Sequence, residues 1–281
     1  TDEEYAAGWR LSCVSKICAD VEVLVPDIAS AYKSRMKVAD LSSQSEIRIF
    51  DDLKEQVVEA GIELRNDMEV VTLQMDEPTI DETMPDNERF TRCLQAVTGM
   101  EKIRLPFYVL KKLAYVLRKG GFSAQAVIRK NDSDVFVYDI YPAGEEVKVT
   151  GLAVDIGTTT VSGILINMLT GEILAKGSAG NGQIRYGADV INRIIESEKP
   201  GGHEKLQKAI IEETLNPLIE SMCSHHGIRE AQIYRVCVAS NTTMNHLLLG
   251  VYADPVRMEP FVPTFFKTNS VYANDIGLKV N

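Results

Sequence analysis

Gly151-Leu152-Ala153-Val154-Asp155-Ile156-Gly157-Thr158-Thr159-Thr160-Val161 is the stretch that decides the fold of this chain. Leu152 to Ile156 is a short apolar run, and such runs bounded by turn residues read as buried strands. A carboxylate stands near the end of that strand, followed at once by a glycine and three hydroxyl residues. Gly157 can take φ > 0 and lets the backbone come close to an anion, successive N–H groups can point into the concavity, and Thr hydroxyls add donors. Asp155 does not face a phosphate comfortably, so a hydrated Mg²⁺ between the two is the natural reason for a carboxylate there. The alternative is a plain hairpin with a solvated turn, and the string alone leaves both readings open.

Outward from that string, Val161 to Asn167 reads as a second strand, Leu169-Thr170-Gly171-Glu172 as a turn and Ile173 to Lys176 as a third strand, an antiparallel meander. Helices are expected at about Gly187 to Glu198 and His203 to His226, where Leu206, Ile210, Ile211, Leu215, Leu218 and Met222 mark one apolar face. Ile233 to Ala239 reads as a buried strand, and a further helix begins just after Asn241. The order βββαβα is that of a ribonuclease-H-like half-domain, a mixed sheet packed against helices. In Val238-Ala239-Ser240-Asn241-Thr242-Thr243-Met244-Asn245-His246 a strand ends in small polar residues that open a helix. Asn241 or Thr242 can cap that helix and leave free N–H groups beyond the strand ends. Alone, this is an ordinary helix cap. Both strings, however, fall where adjacent strands would end on one sheet edge, and that favours a site made of Asp155, Gly157, Thr158, Thr159, Thr160, Asn241, Thr242 and Thr243.

Residues 66–149 read as a separate, small α+β unit. It has a strand at Glu69 to Met75, a polar turn around Pro78, a helix near Asn87 to Thr98 and a longer one near Pro106 to Lys119. Two β-rich runs follow, Ala124 to Arg129 and Val135 to Ile140, separated by Asn131-Asp132-Ser133-Asp134. No carboxylate pair or His/Cys group in it has catalytic or metal spacing, so a structural or docking domain is expected. Residues 27–65 turn polar and Ser-rich and read as a linker ending in a helix, with Ile49, Leu53, Val57 and Val58 near helical spacing before Gly61. Residues 1–26 include the alternating run Asp20 to Val25, strand-like but too short to fold alone.

Composition bounds the function classes. At 281 residues the chain is long for one core and suits two domains. With 45% hydrophobic and 25% charged residues, and no apolar run of the ~18 residues a membrane span needs, it reads as a soluble, cytoplasmic protein with no membrane partner. A formal charge of −10 argues against a nucleic-acid partner. Five scattered cysteines without a CxxC pair indicate neither a disulfide framework nor a zinc site. The chain opens at Thr1 with no methionine and no basic-then-apolar leader, and so reads as a fragment. His225-His226, at the end of an amphipathic helix, reads as a cap that compensates the helix dipole, and His246 as helix surface.

Gly151 to Thr160 with Thr170-Gly171-Glu172, the string Asn181 to Arg193, and Asn241 to Gly250 together resemble the ATPase domain of the reductive activators of corrinoid-dependent methyltransferases. Gly8 to Cys13 also resembles the closing segment of the [2Fe-2S] ferredoxin domain of those proteins, so the resemblance covers the whole chain. It implies a remnant ferredoxin strand at 1–26, a linker at 27–65, a middle α+β domain at 66–149 and, at 150–281, the first part of a nucleotide-binding domain of the actin, sugar-kinase and heat-shock-chaperone superfamily. The implied function is ATP-dependent reduction of cob(II)alamin to cob(I)alamin on a partner corrinoid protein, with ATP and Mg²⁺ as cofactors and a [2Fe-2S] cluster in the intact protein only. Asp155 would hold Mg²⁺ through water, Gly157 to Thr160 would form the first phosphate loop, and Asp189 is a candidate for orienting the attacking water. Against that role stands the ordinary reading of Asp at a helix start, a favourable N-terminal charge.

The departures are equally specific. A plant-type cluster needs Cys-x4-Cys-x2-Cys and a distant fourth Cys, and only that fourth, Cys13, stands here. Cys18 reads as incidental. No glycine-rich second phosphate loop follows Gly250, so weak nucleotide binding and little hydrolysis are expected of these 281 residues alone. Ser240 stands where the family more often has glycine. The other readings are a docking module for a corrinoid protein without turnover, and a sugar-kinase-like phosphotransferase, for which no hydroxyl-reading set is visible. Whether the chain forms a homodimer is left open.

Overall fold

A computed structural model describes residues 37–39, 44–62 and 67–281, together with Ala6. The expected ferredoxin remnant with Cys13 and Cys18 lies outside the described residues, as does most of the first half of the expected linker. From that linker come β1 (Lys37–Ala39) and α1 (Gln44–Glu59), whose exit follows the spacing of its apolar residues and the left-handed Gly61 at φ 76°.

The first sheet has the order β2-β4-β5-β3, with β2 at Met68–Gln74, β3 at Ile103–Arg104, β4 at Ser123–Lys130 and β5 at Val135–Pro142. The Asn131 side chain makes the β4–β5 turn, its Oδ1 accepting from the amides of Ser133 and Asp134, each at 2.8 Å. Two helices, α2 (Asp86–Thr98) and α3 (Phe107–Lys119), cover this sheet. Phe90, Leu94, Leu113 and Leu117 meet Leu73, Ile128 and Val137 in its core. Each helix starts just after a proline, whose missing N–H is no loss at that position. The two-residue β3, parallel to β5, has no sequence signal of its own.

The second sheet has the order β1-β8-β7-β6-β9, with β6 at Thr150–Ile156, β7 at Thr160–Asn167, β8 at Ile173–Gly180 and β9 at Ile233–Ser240. β6, β7 and β8 form the expected antiparallel meander, and β9 lies parallel beside β6. One face packs Leu152, Val154, Ile156, Val161, Leu165 and Ala175 against α4 (Val190–Ser197), α5 (Gly202–Ile210), α6 (Asn216–His225) and α7 (Thr242–Leu249). A last short helix, α8, spans Ala273–Ile276. The chain is thus a mixed α+β protein with two mixed sheets.

Three expectations are corrected. The third meander strand, expected to stop at Lys176, runs on to Gly180 through Gly177-Ser178-Ala179, residues with little β preference. It is held there by pairing with β7 on one side and, around Gly177, with β1 on the other. The helix expected from Gly187 starts at Val190, because a 3₁₀ turn at Gly182–Tyr186 takes the approach and Asp189 caps the helix. The single helix expected over 203–226 is broken by a π turn at Ile211–Leu215. Pro217 has no N–H for the carbonyl four residues back, and the Thr214 hydroxyl donates to the Ala209 carbonyl at 2.7 Å.

A third cluster joins the two sheets. Met68, Val127, Tyr141, Val149 and Tyr234 are buried together. Beside them the buried Asp139 carboxylate accepts from Tyr141 Oη at 2.8 Å, Tyr234 Oη at 3.2 Å and the Ile140 amide at 2.7 Å, and pairs with Lys112. Arg235 and Asp67 add an ion pair of 2.7 Å across the same junction.

Candidate functional site

Because β6 and β9 are parallel neighbours, their C-terminal ends share one edge of the sheet. Asp155 stands opposite Ala239 and Ile156 opposite Ser240, with about 4.8 Å between adjacent strands. Leu152, Val154 and Ile156 point into the helical layer, so by strand alternation Asp155 points to the other face, where it is exposed. Past it, the Gly157 amide donates to the Thr160 carbonyl at 3.0 Å and closes a tight hairpin. A Cβ at position 157 would stand 2.8 Å from the Thr160 carbonyl oxygen, so the turn requires glycine for close approach.

Every carbonyl of this hairpin is engaged by the protein. Gly157 O accepts from Asn181 Nδ2 at 2.8 Å, Thr158 O from Arg193 Nη2 at 2.5 Å, Thr159 O from the Asn181 amide at 2.9 Å, and Thr160 O from Gly157. In a trans peptide the N–H points opposite to the C=O. The amides of Thr158 and Thr159 therefore face away from Asn181 and Arg193, toward the outer side, where Thr159 and Thr160 are exposed. Outward amides of this kind can receive an anion.

The second string closes the same edge. Asn241 caps α7, its Oδ1 accepting from the Met244 amide at 2.9 Å, which leaves the amides of Thr242 and Thr243 as donors at the helix start. Thr243 is buried and Thr242 half-buried. Met244 carries the link between the strings: its Sδ lies 4.0 Å from Asn181 Nδ2 and 3.3 Å from Arg193 Nη1. Asp155, the 157–160 hairpin and the start of α7 are thus gathered at one edge.

Asp189 sits apart from that hairpin in its bonding. It caps α4, with Oδ1 accepting from the Asn192 amide at 2.9 Å and Oδ2 from Asn192 Nδ2 at 2.7 Å. The backbone bond from Asn192 holds its carboxyl below the usual carboxylate range. Its exposed carboxylate makes no hydrogen bond to the hairpin.

Asn181 and Arg193 were not singled out as site residues from the sequence. Both are buried, and both bond carbonyls distant in the chain, which residue spacing does not reveal. The available signals were the family resemblance of the string Asn181 to Arg193, which implies a loop near the nucleotide cleft at Asn181 to Asp189, and an arginine between Ile191 and Ile194 in a short helix beginning at Val190. His246, read as helix surface, is fully buried instead, stacked on Phe265 at 4.3 Å with Nδ1 at 2.8 Å from the Thr242 carbonyl. The segment after α7 folds back over it. His225, in the last turn of α6, reaches the Ser221 carbonyl at 2.7 Å, as a cap does.

A lone exposed carboxylate beside outward amides fits a magnesium ion whose remaining ligands are water and phosphate oxygens. An iron–sulfur cluster does not fit the described residues: their cysteines, Cys93, Cys223 and Cys237, are free and lie in α2, α6 and β9. Among the described residues no three His, Cys, Asp or Glu side chains group to hold a metal, and no helix is long and apolar enough to cross a membrane. A cavity of about 230 Å³ lined by Lys148, Thr150, Asn167 and His226 lies at the other end of β6 and is no part of this site.

Comparison with known proteins gives two family matches: the RACo linker region over residues 57–147 and the RACo middle region over residues 150–281. The unit read from the sequence as a middle domain thus falls in the linker-region match, and the stretch read as nucleotide-binding in the middle-region match. The corrinoid activation enzyme RamQ of Eubacterium limosum is 33% identical over 184 residues, 64% of this chain and 30% of RamQ. A solved structure, a reductive activator for corrinoid, iron-sulfur protein, superposes with a TM-score of 0.66 at 33% identity, over 78% of this chain and 35% of that one. The chain spans about a third of the length of the relatives it matches.

Proposed function

We propose, from the premise that this chain belongs to the RACo family of reductive activators of corrinoid proteins, that it carries the nucleotide-responsive part of an ATP-dependent activator. The activity is the return of cob(II)alamin on a partner corrinoid protein to cob(I)alamin by one electron. The observation that carries this reading is the convergence of exposed Asp155, the outward amides of Thr158 and Thr159 and the start of α7 on one sheet edge. The meander β6–β7–β8 with β9 parallel to β6 supports assigning residues 150–281 to a ribonuclease-H-like nucleotide-binding half-domain.

In this reading the amides of Thr158 and Thr159 and the hydroxyls of Thr159 and Thr160 receive phosphate oxygens. Asp155 orients a hydrated magnesium ion, and the amides of Thr242 and Thr243 add donors from the helix start. Bound Mg-ATP supplies the free energy by which one partner-bound state is favoured over another. Asp189 would reach a water only by releasing Asn192, so its capping role comes first. The electron enters from outside the described residues.

A docking role without turnover is favoured by one specific feature. α3 presents Phe107, Leu110 and Tyr115 to solvent beside Lys111 and Arg118, a mixed apolar and basic face of the kind partners use. The two readings part in one experiment, in which cob(I)alamin formation by the whole activator is followed by absorbance with reductant, corrinoid protein and Mg-ATP. Asp155→Asn is expected to slow the ATP-dependent conversion by roughly a hundredfold while leaving corrinoid-protein binding intact. An unchanged rate would remove the nucleotide reading and leave docking.

A further inference from the structure

Arg193 is fully buried and is the largest fully buried side chain among the described residues. Its guanidinium reaches three segments at once: Thr158 O of the hairpin at 2.5 Å, Gly187 O at 2.9 Å and Gln183 Oε1 at 3.5 Å around the 3₁₀ turn, and Met244 Sδ of α7 at 3.3 Å. None of these partners is charged, and among the described residues Arg193 forms no ion pair. Asp189, four residues earlier, is exposed and has both oxygens on Asn192. Burial holds the guanidinium down at about 10, with Asp189 pulling the other way, so the side chain is a cation at neutral pH.

A buried cation without a counter-ion is costly. A neutral amide does the carbonyl-holding part of this job alone, as Asn181 does for Gly157 on the same hairpin. The choice of a charged group therefore calls for an anion, and the nearest place open to one is the outer side of the peptide that Arg193 holds from within. We propose that Arg193 is a positioning residue of the nucleotide site: it turns the 157–160 amides outward, ties the hairpin to α7, and supplies the positive charge that a polyphosphate seated on those amides compensates. This rests on the nucleotide reading above.

The test is a titration of the 281-residue chain with Mg-ATP, and in parallel with magnesium tripolyphosphate, read from backbone amide resonances of Thr158 and Thr159 and from the Arg193 Nε resonance. In the wild type all three signals are expected to move together. If the loop amides do not respond at any ligand concentration, the nucleotide reading fails. If they respond while Arg193 Nε stays fixed, the nucleotide reading stands and the role of Arg193 is overturned. Arg193→Met, which keeps length and removes charge, is expected to weaken binding at least tenfold and to flatten its dependence on salt. Arg193→Lys restores the salt dependence with intermediate affinity. A merely structural role would lower the melting temperature of both variants and leave the salt dependence untouched. Should Arg193→Met not fold, the wild-type Nε response and Arg193→Lys decide the matter.

Discussion

Burial separates the described cysteines by reactivity. The Cys223 thiol is pushed up to about 12 by its apolar surroundings, with Glu230 adding to the effect, and Cys93 is raised by burial as well. Cys237 is exposed on the open face of the second sheet. The thiolate is the reacting form, so at pH 8 a disulfide reagent should label Cys237 first, Cys93 more slowly and Cys223 only on unfolding. Peptide mapping of the labelled chain reads this order cysteine by cysteine, and early label on Cys223 would show that α6 opens. At this scale the sequence displayed Asp155 and Gly157, because a strand end followed by glycine and threonines is a local pattern. Asn181 and Arg193 stayed hidden as loop holders: their partners at positions 157 and 158 lie 24 and 35 residues away.

Among the elements, β8 and α6 show packing overriding propensity. A Cβ at Gly177 would stand 2.9 Å from Leu218 Cδ1 and 3.0 Å from Met222 Cγ, so the glycine is what lets α6 lie close on the sheet. By strand preference alone Gly177→Val should stabilise β8. Packing predicts the reverse, a loss of about 2 kcal/mol through overpacking, measured as a shift of the urea midpoint with unchanged slope. A gain in stability would mean that α6 tolerates the displacement. The break between α5 and α6 was legible in Pro217, yet the periodic apolar face runs through the π turn, with Ile211 and Leu215 buried beside Leu218 and Met222, and so reads as one helix. Periodicity reports which side faces the core, not whether the hydrogen-bond ladder is continuous.

For the whole molecule, the junction between the sheets is the feature with most consequence. Asp139 belongs to β5 and Tyr234 to β9, the strand that ends at Ser240 beside the site. Burial and the neighbouring Tyr141 push the Tyr234 hydroxyl above its ordinary range, so it stays a neutral donor. Asp139→Ala removes three hydrogen bonds of about 1 kcal/mol each together with the pair to the half-exposed Lys112. Of the three only the bond from Tyr234 crosses between the sheets, so about 3 kcal/mol of stability but about 1 kcal/mol of coupling should be lost, and the single calorimetric transition expected of the wild type should begin to separate into two, one for each sheet. A transition that remains single would show that the apolar cluster around Met68 and Val149 suffices. The sequence by itself determined the longer strands and helices and their order, the separation into two cores and the identity of the carboxylate–glycine–threonine hairpin, because each depends on neighbours within a few residues; β1, β3 and the 3₁₀ and π turns it did not show. Only the tertiary structure decided that β1 closes the far edge beside β8, that the hairpin carbonyls are turned inward by Asn181 and Arg193, and that Asp139 joins the two sheets. Those depend on contacts between residues tens of positions apart, and no local pattern encodes the direction of a side chain across a packed interface.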